Sequence, residues 1–551
     1  MYYRSILRVL GFYLGILALV LIIPTFVAFY FEYFADPLTH PQPHSTIAFA
    51  WTILVTVLLS TICFLCGRHA KGQLYKRESI LLVVVVWIMT VCIGALPFVF
   101  SKTLTNPVDA VFESMSGFTT TGSSVFYPKS YDQKSGKETA ITLTLPELST
   151  RSYTFYGTIT PVRNPLTGAI ILEGYDAVGR GILFWRSFTQ WLGGLGIIFL
   201  FIAIFPLLLI GGKFMVEAEL PGPYQGSFRS TLVPRLKETA SLLWKLYLGF
   251  TIIQGILLLG TNPKLPVFDA VTISLSSIST GGFSIHNGSI GYYDNAWTES
   301  IVMVFMLLGS INFALYFFLL RGKIFKIYEP EFFLFIVTVI LGCSLVTWNI
   351  WDIKTTFADY FPHYDFLAAL RFGAFQAISS LSCTGFNTVN YDYWPFGVQA
   401  MMLVLMYLGG MSGSTTGGLK SARHLILFRS ARHKIESLFR PDTIRCLKVG
   451  DREVPMKTSL TTYTMFWIVI SLSVLGTVCL LMNGIGFETA IGLIGCSINN
   501  TGLSFRFAGP TGTCAFLPVF SKFISMIWML LGRLECFALL IVLTPAFWRS
   551  R

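Results

Sequence analysis

Four short segments of this chain repeat one pattern that closes on a glycine: 109–124 (DAVFESMSGFTTTGSS), 269–284 (DAVTISLSSISTGGFS), 371–388 (RFGAFQAISSLSCTGFNT) and 488–504 (ETAIGLIGCSINNTGLS). In each, an amphipathic run too short to cross a bilayer leads into a few Ser, Thr, Asn or Cys residues and then Gly. Long apolar stretches bracket every one of them. Apolar helix, short polar-tipped helix, glycine turn, apolar helix is the order of a pore-loop unit. Four such loops around one axis would form a single-file path for an ion.

The bulk of the chain agrees with a membrane setting. Hydrophobic residues make up 54% and charged residues only 12%, whereas soluble domains carry about 25% charged residues. A spanning helix needs about 20 mostly apolar residues. Ten stretches qualify, roughly 6–30, 46–66, 79–101, 181–211, 240–261, 297–321, 329–349, 397–428, 458–483 and 520–547. The first lacks a small-residue cleavage site and is closely followed by a second, so it reads as a retained span and not as a signal peptide.

Orientation follows from the placement of Lys and Arg. The 67–78 loop holds Arg68, Lys71, Lys76 and Arg77, and 420–457 carries ten basic residues against four acidic. The 32–45 loop has Glu32 and Asp36 and no basic residue. Alternation through ten spans puts both termini and the basic loops in the cytoplasm and brings all four short segments in from the opposite side. The net charge of +12 is therefore a topology signal with some attraction to anionic headgroups of the lipid bilayer. It is spread over loops between spans, which argues against nucleic acid as a partner. Most cysteines, such as Cys92, Cys343, Cys479 and Cys536, sit in apolar runs as small hydrophobes. Cys63 and Cys66 form a C-x-x-C inside a helix with no second pair, a poor zinc site.

The candidate filter strands are Thr119-Thr120-Thr121-Gly122, Ser279-Thr280-Gly281-Gly282, Ser382-Cys383-Thr384-Gly385 and Asn499-Asn500-Thr501-Gly502. An ion in a narrow pore must lose water, and rings of backbone carbonyls can replace its hydration shell. Turning successive carbonyls to an axis demands backbone angles that glycine adopts without a Cβ clash. The C-terminal ends of the short helices would add partial negative charge, favouring a cation. Asp109, Asp269 and Glu488 sit near their N-terminal ends, where a carboxylate complements the dipole and can cap. The third unit has Arg371-Phe372 there, with Asp365 further upstream, so its helix is expected to start differently. Four polar bends in register, all between spans, favour a pore over ordinary loops. The spacing by itself implies a monovalent cation.

Two further features stand out. The eighth span is interrupted by Gly409, Gly410, Met411, Ser412, Gly413, Ser414, Thr415, Thr416, Gly417 and Gly418. Five glycines in ten residues do not hold a helix, at about 1 kcal/mol each relative to Ala, and such a break survives at membrane depth only against protein or a water cavity. It reads as a gate below the third filter strand; a small-residue helix-packing site is the alternative. Arg533 falls near the centre of the last span, where a charge costs at least about 2.5 kcal/mol. Glu535 cannot be its partner, because residues two apart leave a helix on different faces. Arg533 is expected to face the pore below the filter and repel cations, with 409–418 as its neighbour; a buried ion pair is the alternative.

The four glycines Gly122, Gly282, Gly385 and Gly502 are 160, 103 and 117 positions apart. The excess in the first interval falls at about 127–180, where Thr/Tyr/Ile-rich pieces at 140–145, 153–160 and 169–172 suggest a small β-hairpin cap on the outer face.

At this point the chain resembles the Trk/Ktr/HKT superfamily of potassium transporters, closest to its TrkH branch. The resemblance rests on the two extra N-terminal spans, the four units, SFTQWLGGLG at 187–196, the segment 219–240 with PGP and PRLKETA, and the C-terminal GRLECF and TPAFWR. It implies an all-α polytopic membrane protein with four helix–pore loop–helix repeats around one pore. The expected parts are 1–67 (two N-terminal helices), 68–211, 212–327, 328–440 and 441–551 (one repeat each). It implies potassium as the ion, an intramembrane loop at 409–418 that obstructs permeation, and an arginine, here Arg533, at the pore. It also implies a homodimer and a cytoplasmic nucleotide-binding regulatory ring of the TrkA type, for which 420–457 is a docking candidate. The insertion at 127–180 departs from the family's short connection. Gly193-Gly194-Leu195-Gly196 lies within an apolar span and is no dinucleotide turn, and no catalytic constellation is present in the sequence. The expectation is therefore a potassium channel or uptake subunit without an organic cofactor, with a potassium symporter coupled to sodium or protons as the alternative.

Overall fold

The computed structural model describes residues 3–35, 44–70, 74–132, 136–145, 148–164, 169–194, 196, 236–322, 325, 328–351, 364–439, 447–449 and 452–549. Two long apolar helices come first. One is α1 (Tyr3–Val20) continued by α2 (Ile22–Tyr33), and the other is α3 (Ser45–Gly67). α3 returns against α1 with its backbone close to Gly11, where a Cβ would lie 2.8 Å from Phe64 N. Ser60 Oγ donates to Gly11 O at 2.7 Å and locks that crossing.

The order long helix, short helix, bend, helix then recurs. α4 (Lys76–Phe100) leads into the short α5 (Pro107–Phe118), and after the bend and an outer excursion comes α6 (Arg180–Gly194). α7 (Leu236–Thr261) leads into α8 (Val267–Ile278), followed by α9 (Ala296–Ser310) and α10 (Phe313–Leu320). α11 (Pro330–Ile350) leads into α12 (Phe366–Leu381), followed by α13 (Phe396–Leu408) and α14 (Ser421–Phe439). Last, α15 (Met456–Met482) leads into α16 (Phe487–Asn499), then α17 (Val519–Arg533), α18 (Phe537–Leu543) and α19 (Pro545–Trp548). A helix of 12 residues such as α5 is about 18 Å long, well short of the roughly 30 Å hydrocarbon core. The short helices therefore reach only partway in.

Among the described residues, six helices are long and apolar enough to cross a membrane, and up to eight if each bent pair is one span. The outgoing helices explain the difference from ten continuous spans. α9 and α10 are bent by 92°, and α17 and α18 by 117°, where 297–321 and 520–547 read as single rods. The 397–428 stretch divides into α13, a loop and α14. The latter part of the fourth candidate, 195 and 197–211, and most of 219–240 lie outside the described residues. The first bend carried a legible signal. Asn312 caps α10, its Oδ1 accepting from Ala314 N at 2.9 Å.

The carboxylates expected to cap the short helices do not do so. The N-cap positions belong to Asn106, Pro266 and Gly486, while Asp109, Asp269 and Glu488 sit in the first turn and bind cations or hydroxyls from other elements. Lys522 of α17 pairs with Asp109 at 2.6 Å, His286 and Tyr293 bind Asp269, and Arg506 pairs with Glu488. The third unit starts differently, as expected: its helix begins further upstream, with Asp365 capping α12 through Ala368 N at 3.0 Å. Arg371 then points outward to Glu299 at 2.6 Å and Asp294 at 3.1 Å.

The outer excursion forms three small antiparallel pairs: β1 (Ser130–Tyr131) with β2 (Glu138–Thr139), β3 (Ile141–Thr144) with β4 (Ser152–Phe155), and β5 (Val162–Arg163) with β6 (Ile170–Leu172). A fourth pair, β7 (Lys448–Val449) with β8 (Arg452–Glu453), follows α14. The excursion is seated on the fourth unit: Tyr153 OH accepts from Gly486 N at 2.8 Å, and its ring packs on Phe507 and Phe516.

Beneath it lies the most deeply buried ion pair among the described residues, Arg186 with Glu113 at 2.7 Å, at 1% and 0% exposure. Arg186 also donates to Ser284 O at 2.9 Å and Ser124 Oγ at 3.1 Å, while Glu113 accepts from Val125 N at 2.9 Å. The pair thereby holds together the chain segments leaving the first two bends. Removing one partner leaves a buried uncompensated charge, at about 3–5 kcal/mol. Arg186→Met should therefore lower the thermal midpoint of the detergent-purified protein more than Arg186→Met/Glu113→Gln does. Equal losses would deny the pair this role.

Candidate functional site: a ring of four glycine bends

All four short helices end alike. Each passes into a residue with left-handed backbone: Thr120 (φ 57°), Thr280 (φ 52°), Cys383 (φ 53°) and Asn500 (φ 52°). The N–H of the next residue closes back on the helix, Thr121 to Ser116 O at 2.9 Å, Gly281 to Ser276 O at 2.9 Å, Thr384 to Ser379 O at 3.0 Å and Thr501 to Cys496 O at 3.0 Å. With the bonds three residues back from Thr120, Thr280, Cys383 and Asn500 to the carbonyls of Gly117, Ser277, Ser380 and Ser497, this is a Schellman cap made four times. Glycine usually supplies that left-handed position. Threonine there is strained, and Thr120 and Thr280 each turn the hydroxyl onto the preceding carbonyl at 2.7 Å.

The glycines come two residues later, and their positions close a ring. Gly122, Gly282, Gly385 and Gly502 have φ of 86°, 76°, 92° and 79°. A Cβ at Gly502 would sit 2.5 Å from Thr121 O. At Gly122, Gly282 and Gly385 it would sit closer still, to Gly281 O, Thr384 O and Thr501 O. Strand one thus meets strand two, two meets three, three meets four and four meets one. Thr119, Thr120, Thr121, Ser279, Thr280, Ser382, Cys383, Thr384, Asn499, Asn500 and Thr501 are all buried. The sixteen residues singled out from the sequence are therefore brought to one place. Asn500 Nδ2 bridges strand four to Thr121 Oγ1 at 3.0 Å.

The breaks in the outgoing helices gather against the tips of these strands. In the 409–418 loop, Met411 N donates to Ser310 O at 2.9 Å and Thr415 N to Gly309 O at 3.2 Å. Gly413 O accepts from Phe313 N at 3.1 Å, so the loop is woven into the α9–α10 bend. Thr415 Oγ1 reaches Ile278 O at the end of α8 and Thr280 Oγ1, both at 3.2 Å. A Cβ at Gly417 would overlap the Asn499 carbonyl. Ser412 N donates to Glu331 Oε1 at 2.6 Å, and Ser414 and Thr416 exchange a hydroxyl bond at 2.7 Å. Gly409, Gly410, Met411 and Gly418 complete the turn, with Ser421 N returning to Gly410 O at 2.9 Å.

Arg533 stands at the centre of this layer, and it ends α17 where a continuous span had placed it mid-helix. Its guanidinium donates to Thr415 O at 3.0 Å, Thr120 Oγ1 at 3.2 Å, Gly194 O at 2.7 Å and Gly193 O. It thus joins strand one, the loop and the end of α6. Carbonyls at a helix C-terminus carry partial negative charge that suits a cation. Glu535 pairs with Arg423, and Lys420 binds Thr416 O. Lys420 and Arg423 are 2% and 6% exposed, so these two of the ten basic residues in 420–457 are structural cations at the loop's exit and do not present an outer surface. They stand two and five residues past Gly418, the end of the loop's glycine run, too near it for a cytoplasmic loop.

Spanning helices, re-entrant short helices and a buried ring of backbone strands define a polytopic helical membrane protein organised around one axis of approach for four bends. A family model for TrkH, a cation transport protein, matches residues 163–549. The Trk system potassium uptake protein TrkH of Salmonella typhimurium is 31% identical over 558 aligned residues and covers 100% of both chains. The TrkH of Halomonas elongata is 30% identical, with 99% of each chain covered. The crystal structure of the potassium transporter TrkH from Vibrio parahaemolyticus superimposes with a TM-score of 0.77 at 28% identity over 100% of both chains. The chain belongs to the TrkH family of cation transport proteins, and is a transporter and not an enzyme.

Ring glycines and open glycines should respond differently to one methyl group. Gly282→Ala must displace the Thr384 carbonyl, whereas Gly397 has nothing within 4 Å of its Cβ position. Gly397→Ala should keep wild-type folding yield and cation flux, and Gly282→Ala should lose flux. Full flux through Gly282→Ala would mean that the ring is looser than drawn.

Proposed function

We propose that this chain takes up potassium across the cytoplasmic membrane, with the four strands at Thr119–Gly122, 279–282, 382–385 and 499–502 as the filter. The single observation that carries the reading is the mutual closure of the four glycines on neighbouring carbonyls. The uptake of potassium named for the relatives from Salmonella and Halomonas supports the choice of ion. Carbonyls of Thr121, Gly281, Thr384 and Thr501 stand at the seams between strands and stand in for lost water as an ion dehydrates. The C-terminal ends of α5, α8, α12 and α16 add partial negative charge. Potassium is the cargo, and no organic group takes part in the step.

The 409–418 loop and Arg533 form the gate in this reading. Their hydrogen bonds to the strand tips, to Gly309 and Ser310, and to each other join elements that must part for an ion to leave the filter. Both termini lie in the cytoplasm, and the protein works as a homodimer under a nucleotide-binding ring of the TrkA type. The exposed Arg432 and the rest of the basic α14 face, which continues from the loop, give that ring a place to act. Lys420 and Arg423 couple α14 to the loop and to Glu535.

Two like charges about 8 Å apart repel by about 2 kcal/mol at an effective dielectric of about 20, which exceeds tenfold in rate. Arg533→Ala should therefore raise rubidium influx into proteoliposomes about tenfold, while Arg533→Lys, which keeps the charge, should not. Intact Arg533→Ala protein with unchanged or lower influx would sink the barrier role.

Rubidium uptake down its own gradient is expected without any sodium or proton gradient, and Gly385→Ser should reduce its preference over sodium. A strict requirement for the second gradient would move the mechanism to symport. An unaltered ion preference in Gly385→Ser would remove the filter assignment.

A further inference from the structure

The ring has one irregular member. At the third filter position three strands carry threonine, Thr121, Thr384 and Thr501, and the second strand carries Gly281. In strand three Thr384 Oγ1 bonds Ser382 Oγ at 2.7 Å, and in strand one Thr121 Oγ1 bonds Thr119 Oγ1 at 2.8 Å. Strand two has no such hydroxyl, and Ser279 Oγ turns back to Leu275 O at 2.7 Å.

The space is nevertheless filled. A Cβ at Gly281 would lie 2.5 Å from Gln190 Oε1 and 2.8 Å from Gln190 Cβ, with Gln190 Cδ closer still. Gln190 belongs to α6, the outgoing helix of the first unit, and is 0% exposed. Its Nε2 donates to Gly281 O at 2.6 Å and its Oε1 accepts from Phe283 N at 3.0 Å. The backbone N–H can meet only the amide oxygen, so the two bonds fix the amide's orientation. They straddle Gly282, the ring glycine of strand two.

We infer that Gln190 is a positioning residue of the filter, which supplies from a neighbouring unit the side chain that strand two lacks and sets the carbonyl of Gly281 and the backbone of Gly282. The inference rests on the filter reading above. Its physical content is complementarity: small at 281 requires large at 190. A threonine at 281 fits only if the amide leaves.

Rubidium-over-sodium flux ratios in proteoliposomes test it, with size-exclusion profiles as the check on folding. Gln190→Leu, which keeps most of the volume and loses both hydrogen bonds, should lower the ratio about tenfold. Gly281→Thr alone should abolish selective flux, and Gly281→Thr/Gln190→Ala should recover a ratio above that of either Gly281→Thr or Gln190→Ala alone, the non-additivity expected of groups that share one space. An unchanged ratio in folded Gln190→Leu, or a double variant no better than its worse parent, would overturn the inference. If Gly385→Ser changes the ratio while Gln190→Leu does not, only this inference fails. If neither changes it, the filter reading has failed with it.

Discussion

Backbone N–H and C=O groups inside a bilayer find no water, so non-helical chain at that depth must be satisfied by protein or by what it carries. The four bends meet this constraint in one way. Each short helix ends in a left-handed residue whose successor bonds back to the last turn, and the chain then reverses at a glycine pressed against the next strand's carbonyl. No bend could keep this geometry by itself, because its glycine is held by its neighbour and its carbonyl holds another. The rest of the molecule serves that ring: long helices fix the short ones, and the outer segments clamp the strands as they leave.

The clamps are polar and specific. Arg186 with Glu113, Lys522 with Asp109, and Arg506 with Glu488 each link a short helix or its exit to a different element. Charge placed there costs desolvation, which apolar packing would avoid. What the pairs contribute is direction, since Arg186 offers several donors in a rigid fork and contacts Glu113, Ser124 and Ser284 together. The three clamps differ from one another in residue and partner, so the ring is only approximately four-fold. Gln190 against Gly281 is the same asymmetry at the ring itself.

On the other side of the ring the outgoing helices stop. α9 bends after Ser310, α13 gives way to the 409–418 loop and α17 ends at Arg533. The carbonyls freed by these breaks are bound by Met411 N, Thr415 N and the Arg533 guanidinium. The layer is thus a set of interrupted helices satisfying one another across unit boundaries. Such an arrangement can exchange one set of partners for another more readily than a continuous helix can.

Much of this was legible in the sequence. Periodicity, composition and the recurrence of short polar-tipped runs before glycine determined a helical membrane protein with four re-entrant segments, and they singled out the ring residues, the loop and Arg533. Those signals are local: a glycine demanded by φ, a run too short to span, a charge too deep to be idle. The bends after Ser310 and Arg533, the inward turn of Lys420 and Arg423, the pairing of Asp109 with Lys522 across more than four hundred residues, and the fit of Gln190 to Gly281 were decided only by the tertiary structure. Each depends on which distant group arrives opposite, and a side chain's partner is set by packing between units, about which the residues on either side of it carry no information.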